Sequence, residues 1–304
     1  MGGTDKSSRM TQAFILGAGL GTRLKPLTDR LPKPLVPLFH RPLAAWTLDA
    51  CKSTGASRFA VNTHHLPAAW ENFGEGEDVT LFHEPVLLET GGGLKNIEGW
   101  MADEPLLVHN GDIFSTLPLK ELVAAHHASG LPVTLAVRSV GDARHIALNH
   151  IGDRVVDIRG KLGREDGTHV FTGIYCINKV FLDLLEKDRI VSVIPAFLKL
   201  AEEGKLGAVV IDDGVWLDLG ERKSYLEAHQ TLQLADPIHP DAKIDPTAMI
   251  ENSVVGPGAV IGAGAKIVDS VIWPGGEVLS GASLKGCIVC TGNPVGGEHA
   301  DKDL

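Results

Sequence analysis

The sequence predicts an α/β fold built on a mostly parallel sheet, followed by a short parallel β-helix. Two patterns carry this. Over residues 11–235 short apolar runs alternate with amphipathic stretches, which lays helices on both faces of a parallel sheet. From residue 244 onward a six-residue rhythm takes over, the mark of a stacked solenoid.

In the first part, strands are predicted at Gln12–Leu16, Arg58–Thr63, Val79–Glu84, Pro105–Asn110 and Val133–Arg138, then at His169–Cys176, Ala208–Ile211 and Val215–Leu217. The stretch Pro42–Ser53 places Leu43, Trp46, Thr47, Ala50 and Cys51 on one helical stripe, with Gly55 as a stop. Leu119–Ser129 has the same character and ends at Gly130, and Glu221–Leu234 is a last helix. The first ten residues, MGGTDKSSRM, are polar and lack an apolar core segment, so a disordered leader is expected over 1–10 rather than a signal peptide.

Two prolines in ADPIHPDA (235–242) break the helical pattern, which sets a linker at 236–243. The hexads VGPGAV, IGAGAK, IVDSVI, WPGGEV and LSGASL then run from 255 to 284, each opened by an apolar residue. IDPTAM and IENSVV extend them upstream, with a one-residue slip at Val255. A β-helix over 244–292 of about three turns is expected, with a tail at 293–304. A bare end of so short a stack exposes apolar surface and unpaired edges, so contact with a second copy through the β-helix is expected.

The formal net charge of −10 speaks against duplex nucleic acid, whose phosphates call for a basic face. A small polyanion can still bind an acidic protein through a local cation cluster. The four cysteines show no disulfide framework, as expected in a reducing compartment. Cys287 and Cys290 supply at most half of a zinc site, and small buried side chains are the expected role. The histidine pairs His64/His65 and His126/His127, with His83 and His109, lack metal-ligand spacing and are expected to be structural. No apolar run reaches membrane-spanning length, and the protein is expected to be cytoplasmic.

The cation cluster lies in LGAGLGTRLKPLTDRLPKPLVPL (16–38), directly after the first strand. Gly17, Gly19 and Gly21 allow close backbone approach to a ligand, with Thr22 and Arg23 next in line. No G-K-[ST] closes the loop, and its third glycine comes one residue too early for a dinucleotide fingerprint. Arg23, Lys25 and Lys33, held by Pro26, Pro32 and Pro34, suit a triphosphate or pyrophosphate. Two further motifs end apolar strands with a carboxylate: Asp112 in PLLVHNGDIF (105–114) and Asp218 in GVWLDLGE (214–221). Strand-end carboxylates lie where open α/β sheets bind ligands, and magnesium favours a few carboxylates together with water and phosphate oxygens.

Together, G-x-G-T-R-L-x-P-L-T and P-K-P-L-V-P resemble the signature of the sugar-1-phosphate nucleotidylyltransferases, also called NDP-sugar pyrophosphorylases. The likeness runs from about residue 11 to 292. Within that family, LETGGGLKN (88–96), FTGIYCIN (171–178) and GVWLDLGERKSYLEA (214–228) are most similar to the branches acting on N-acetylmuramate-1-phosphate with UTP and on mannose- or heptose-1-phosphate with GTP. The resemblance implies a Rossmann-like sheet of the nucleotide-diphospho-sugar transferase type and a left-handed β-helix. It also implies Mg²⁺-dependent transfer of a nucleotidyl group from an NTP to a sugar-1-phosphate, with release of pyrophosphate.

By the same resemblance Arg23 holds the β- and γ-phosphates, Lys33 binds phosphate at the reacting centre, and Asp112 and Asp218 hold the metal. The backbone Leu16–Gly17–Ala18–Gly19 lines base and ribose, Gly21, Thr22 and Gly91 also bind the nucleotide, and Glu84 and Glu89 lie near the base. Many relatives carry Gln at the Glu84 position and Gly at the Glu89 position. Glu84 could accept from guanine or from uracil, so the base stays open between GTP and UTP. Glu89, Asn110, Thr172 and Gly173 are the expected sugar contacts. The E-K-P segment of many members is replaced here by VVDIRGKLG (155–163), leaving Lys161 as the candidate cation. Alternatives are a silent sugar-nucleotide-binding assembly subunit and a phosphocholine-type cytidylyltransferase. An acyltransferase role for the β-helix is disfavoured by its small size.

Overall fold

In the computed structural model the described residues are 10–304, and they form two compact units. One comprises the described residues up to Leu20 with Ala44–Trp216; the other comprises Gly21–Leu43 with Leu217–Leu304. The expected leader lies outside the described residues apart from Met10, whose side chain is buried.

The first unit is an α/β sandwich around a seven-stranded sheet. Its strands are β1 (Gln12–Leu16), β2 (Arg58–Thr63), β3 (Asp78–His83), β4 (Leu106–Asn110), β5 (Val133–Arg138), β6 (Val170–Ile177) and β7 (Leu206–Val210), in spatial order β7-β5-β6-β4-β1-β2-β3. All pairings are parallel except those of β6, which runs antiparallel to both β4 and β5. The helices are α1 (Leu43–Lys52), α2 (Glu89–Asn96), α3 (Leu119–Ser129) and α4 (Ile194–Glu202). One core face gathers Phe14, Leu106, Val108, Leu135, Tyr175 and Phe197, all fully or almost fully buried.

Two of these helices are absent from the sequence expectation. The triplet Gly91–Gly93 marks α2 as a loop by propensity, yet the segment is helical because only glycine lets it pack against a neighbouring backbone. A methyl at Gly91 would lie 2.8 Å from the Val191 carbonyl oxygen, and one at Gly92 would lie 2.4 Å from that of Arg189. Helix α4 starts with Pro at its first turn and buries Phe197 and Leu200, a short amphipathic stripe.

The second unit holds α5 (Arg222–Thr231) and three short parallel sheets stacked as the sides of a β-helix. Lys243, Val260 and Glu277 are successive partners on one side, Met249, Lys266 and Ser283 on the second, and Val254, Val271 and Ile288 on the third. Each of these coils therefore takes 17 residues, one fewer than three hexads, while the last pairing, Ser283 with Glu298, spans 15. The interior column reads Ile250, Val255, Ile261, Ile267, Ile272, Val278, Leu284 and Val289. Its spacing is five, six and six residues in rotation.

The five-residue side corrects the hexad register downstream of Ile267. Its corner is a left-handed residue stacked coil upon coil: Asn252, Asp269, Gly286 and Asp301 all have positive φ, between 44° and 61°. Ser253 Oγ accepts from Ser270 N and Ser270 Oγ from Cys287 N, each at 2.9 Å, which locks the corners together. The expected opener Trp273 consequently points outward, and Leu279 is exposed. Pairing also continues beyond 292, through Glu298–Ala300 and the bridge from Ile288 to Asp303.

Trp273 faces outward to good effect. With Val271, Ile288 and Cys290 it packs on Tyr225 and Leu226 of α5 and on Leu24, Leu27 and Val36 of the cation loop. Its indole N–H donates to Tyr225 Oη (3.0 Å), whose hydroxyl donates to the Pro37 carbonyl (2.6 Å). The β-helix is thus the foundation on which Gly21–Leu43 is laid. Cys287 faces the solenoid interior and Cys290 this outer cluster, so the C-x-x-C residues serve different cores; all four cysteines are free and buried. No helix among the described residues is long and apolar enough to cross a membrane.

Candidate active site

Strand β1 is flanked by β2 on one side and β4 on the other, so chain connections diverge at its carboxyl end, where open α/β sheets form a crevice. Register sets Leu16 beside both Asn62 and Asn110 at that edge. The Gly111 amide donates to the Leu16 carbonyl (2.9 Å), fixing the turn that carries Asp112. The amides of Gly17 and Ala18 both donate to Asn62 Oδ1, at 2.8 and 3.3 Å.

The loop glycines divide their work. A methyl at Gly17 would lie 2.7 Å from the Asn62 carbonyl oxygen and 2.9 Å from the Trp70 ring, so Gly17 serves packing. At Gly19 nothing lies within 4 Å of that position, which leaves its face open to a ligand. Gly17→Ala is expected to destabilise the fold by about 2–4 kcal/mol through forced overpacking. Gly19→Ala is expected to hold stability within about 1 kcal/mol while raising KM for the nucleotide. Denaturant midpoints measured beside steady-state kinetics separate the two.

Glu84 is 1% exposed, and both carboxylate oxygens are engaged. Oε1 accepts from Asn62 Nδ2 (2.7 Å) and Oε2 from the Leu88 amide (2.9 Å). It is therefore a brace beneath the loop and not the free base-reading acceptor expected from the sequence. Gly91 is likewise internal, its amide donating to the Val191 carbonyl at 2.8 Å. Glu89, at the start of α2, is exposed and holds φ at 59°, a left-handed conformation that costs a non-glycine residue about 1–2 kcal/mol. Glu89→Gly is expected to raise stability by about 0.5–1 kcal/mol net of the glycine entropy cost. It is also expected to lower turnover if the carboxylate touches substrate; a melt and an assay on one preparation check both.

At the end of β4, Asn110 lies over Gly173, whose φ of 74° belongs to the irregular stretch where β6 shifts register. A methyl there would meet Asn110 Nδ2 at 2.7 Å, so the two form one small wall. Thr172, expected as a sugar contact, is buried and fully used: its hydroxyl donates to the Ala136 carbonyl (2.7 Å) and its own carbonyl accepts from the Trp216 indole (2.8 Å). Lys161 stands exposed on the turn after Val155–Ile158, a strand of a separate two-stranded sheet. Buried Asp157 organises that turn. Burial alone would raise its pKa, but donated amides of Arg164 and Leu162 outweigh this and hold it below the usual carboxylate range. Behind Asp112, His109 is buried with its pKa lowered to about 4, chiefly by burial.

In the second unit, Gly21 takes φ of 57° and a methyl on it would strike Thr28 at 2.7 Å. It opens the short helical turn Thr22–Leu24, where Thr22 and Arg23 are exposed. Lys25 pairs with Asp29 at the surface (2.8 Å). Arg23 Nη1 pairs with Glu221 Oε1 at 3.0 Å, and Lys33 Nζ lies 3.6 Å from Asp218 Oδ1. Lys33 is 7% exposed, whereas the Asp218 side chain is 47% exposed.

Gly220 completes the arrangement. A methyl on it would sit 2.8 Å from Asp218 Oδ1, 3.0 Å from Arg23 Nη2 and 3.2 Å from Lys33 Nζ. The bare α-carbon opens a cradle walled by two cations and one carboxylate oxygen. Fixed cations suit phosphate oxygens, and a half-exposed carboxylate is a hard donor of the kind magnesium takes, so these residues fit the implied metal and polyphosphate. The sequence raised no expectation for Asn62, which holds the glycine loop, or for Glu221, which pairs with Arg23. Asn62 had a signal: like Asn110 it is an asparagine within the last two positions of an apolar strand, at the carboxyl edge.

The model of the nucleotidyl transferase family matches residues 12–234, and that of the GMPPB C-terminal domain matches residues 235–300. A mannose-1-phosphate guanylyltransferase of Mycobacterium tuberculosis is 30% identical over 280 residues, covering 83% of this chain and 77% of that protein. A probable mannose-1-phosphate guanylyltransferase 2 of Arabidopsis thaliana is 30% identical over 230 residues, and the mannose-1-phosphate guanyltransferase of Saccharomyces cerevisiae is 29% identical over 230. Each of those two alignments covers 71% of this chain and 63% of the relative. The match over most of the chain, on a sheet whose carboxyl edge carries the glycine loop and Asp112, establishes that the chain belongs to the nucleotidyl transferase family, the sugar-1-phosphate nucleotidylyltransferases that its opening loop resembles.

Proposed function

We propose that this chain transfers a guanylyl group from GTP to mannose-1-phosphate, or a closely similar hexose-1-phosphate, in a magnesium-dependent reaction. The observation that carries the chemistry is the cradle at Gly220, where Arg23, Lys33 and Asp218 face one small space. The named activity of the relatives favours guanine over uracil and mannose over other sugars.

A phosphate oxygen of the sugar-1-phosphate attacks the α-phosphorus of the nucleotide. The bond from that phosphorus to the α–β bridging oxygen breaks, and pyrophosphate leaves with the electron pair. Arg23 and Lys33 neutralise charge on the transferring and departing phosphates, with no covalent intermediate on the protein. Burial of Lys33 limits its rotamers, so its charge is in place before substrate arrives. Gly19 offers its open face to the nucleoside, and Asn110 with Gly173 offers a wall to the sugar. Asp218 would hold magnesium at the cradle, where the ion would supply Lewis-acid neutralisation of phosphate charge, and Asp112 is the candidate carboxylate of the other unit.

The test is pyrophosphate release with GTP, UTP, dTTP, CTP and ATP against mannose-1-phosphate, N-acetylmuramate-1-phosphate and phosphocholine, with products weighed by mass spectrometry. GDP-mannose as the fastest product, lost on chelation and restored by Mg²⁺, is expected. Preferred use of UTP would reassign the base, and silence with every pair would overturn the reading.

A further inference from the structure

We propose that Asn62 and Glu84 form a relay of fixed polarity that sets the position of the Gly17–Gly19 backbone and thereby the affinity for the nucleoside triphosphate. This rests on the reading above that the loop receives the nucleotide.

The relay has donors fixed at both ends. At one end stand the backbone N–H groups of Gly17 and Ala18; at the other stands that of Leu88. Backbone amides cannot exchange donor for acceptor, so the two side chains between them have only one workable order. Asn62 must turn Oδ1 to the loop and Nδ2 to Glu84, and Glu84 must accept on both oxygens, as it does at 2.7 and 2.9 Å. Both residues are buried, Asn62 at 2% and Glu84 at 1% exposed. The strand beneath is tied down as well: the Glu84 amide donates to the Thr63 carbonyl (2.7 Å), and His64 Nδ1 bonds the Glu84 carbonyl (2.7 Å).

Helix α2 clamps the relay from its far side. A methyl at Gly93 would lie 2.7 Å from Asn62 Nδ2 and 3.0 Å from Glu84 Oε1, so neither side chain has room to swing that way. With two successive loop amides held by one oxygen, the level at which Gly19 presents its open face follows from Asn62. Glu84 touches no substrate in this account; it is a positioning residue acting through Asn62.

Fixed polarity makes a distinctive test. Glu84→Gln replaces one acceptor by a donor, and a buried donor then faces either Asn62 Nδ2 or the Leu88 amide. Asn62→Asp sets two carboxylates face to face, which cannot both stay ionised at that range. The double variant Asn62→Asp/Glu84→Gln restores every acceptor. Its new carboxylate accepts from the loop amides and from the new carboxamide N–H, and the carboxamide oxygen accepts from the Leu88 amide. Its net charge equals that of the parent.

In pyrophosphate-release kinetics at neutral pH, E84Q is expected to raise KM for the nucleotide by about 10- to 100-fold, the cost of an unsatisfied buried donor. The KM for the sugar-1-phosphate is expected to change less than about threefold, and the double variant to return to within about fivefold of the parent. If E84Q does not accumulate folded, N62D carries the same test: its nucleotide KM is expected to rise by a similar factor, and the double variant to bring it back to within about fivefold of the parent. A double variant no better than the worse single, or an unchanged nucleotide KM in E84Q, overturns the relay. A parent enzyme inactive with every nucleotide overturns the functional reading instead, so the two failures are distinguishable.

Discussion

Asp218→Asn is expected to lower kcat by about a thousandfold while leaving the thermal midpoint within a few degrees of the parent. Asparagine keeps the shape of the side chain beside Gly220 but removes the charge that faces Lys33 Nζ at 3.6 Å. On the proposed reading Asp218 holds magnesium; losing such a carboxylate removes several kcal/mol of transition-state stabilisation, and about 4 kcal/mol corresponds to that factor. The stability cost is small because the Asp218 carboxylate is half exposed and its ion pair is screened by water. Asp112→Asn is expected to act in the same direction, at the turn fixed by the Gly111 amide. Single-turnover pyrophosphate release beside calorimetry checks both. Activity of either variant within about tenfold of the parent would remove that carboxylate from the chemistry.

Stability is expected to fall steeply as pH drops from about 6.5 to about 4. Three histidines, His109, His126 and His229, have pKa values lowered to about 4, in each case chiefly by burial. The unfolded chain protonates them near 6.5 while the folded chain keeps them neutral, so protons favour unfolding throughout that window and add nothing further below it. Above about 6.5 both states are neutral and the contribution is constant. Each group contributes a slope of up to about 1.4 kcal/mol per pH unit, so three together can exhaust a typical stability within the window. His229 shows why neutrality is required: Nε2 accepts the Phe39 amide at 3.0 Å and Nδ1 bonds the Tyr225 carbonyl at 2.8 Å, which fills both nitrogens. Urea midpoints taken across the window measure the slope, and His229→Gln, which cannot titrate there, should flatten it by about a third. A flat profile in the parent would mean that these rings take up protons without unfolding.

The strands of the sheet were legible because each is an apolar run bounded by a turn signal. Gln12–Leu16, Arg58–Thr63 and Val133–Arg138 occur at the predicted bounds. Helix α2 was hidden because three glycines contradict helix propensity; the backbone of residues 189–192 explains Gly91 and Gly92, and the Asn62 and Glu84 side chains explain Gly93. The β-helix was legible as a repeat, but its true period was not. Six-residue spacing fits two sides of each coil, and the third side is shortened by a left-handed corner that composition does not announce.

The site divides along a similar line. Arg23, Lys33 and Asp218 are charged residues in an unusual local setting, and they converge around one glycine. Glu84 and Thr172 have the right polarity for ligand contacts, but their hydrogen bonds are met inside the protein by Asn62, Leu88, Ala136 and Trp216. A polar residue near a site can hold the site up instead of touching its ligand, and sequence does not distinguish these before the partners are known.

The seventeen-residue coil has a consequence for how this protein can change in length. Deleting or duplicating one whole coil returns every interior residue to its column and every left-handed corner to its stack. Removing a single hexad instead shifts every following side onto the next face and takes the left-handed corners out of their stack. Viable length variants of this region should therefore differ by whole coils. The coil bearing Val271 and Trp273 should be the one least free to go, since it carries the loop of Arg23 and Lys33.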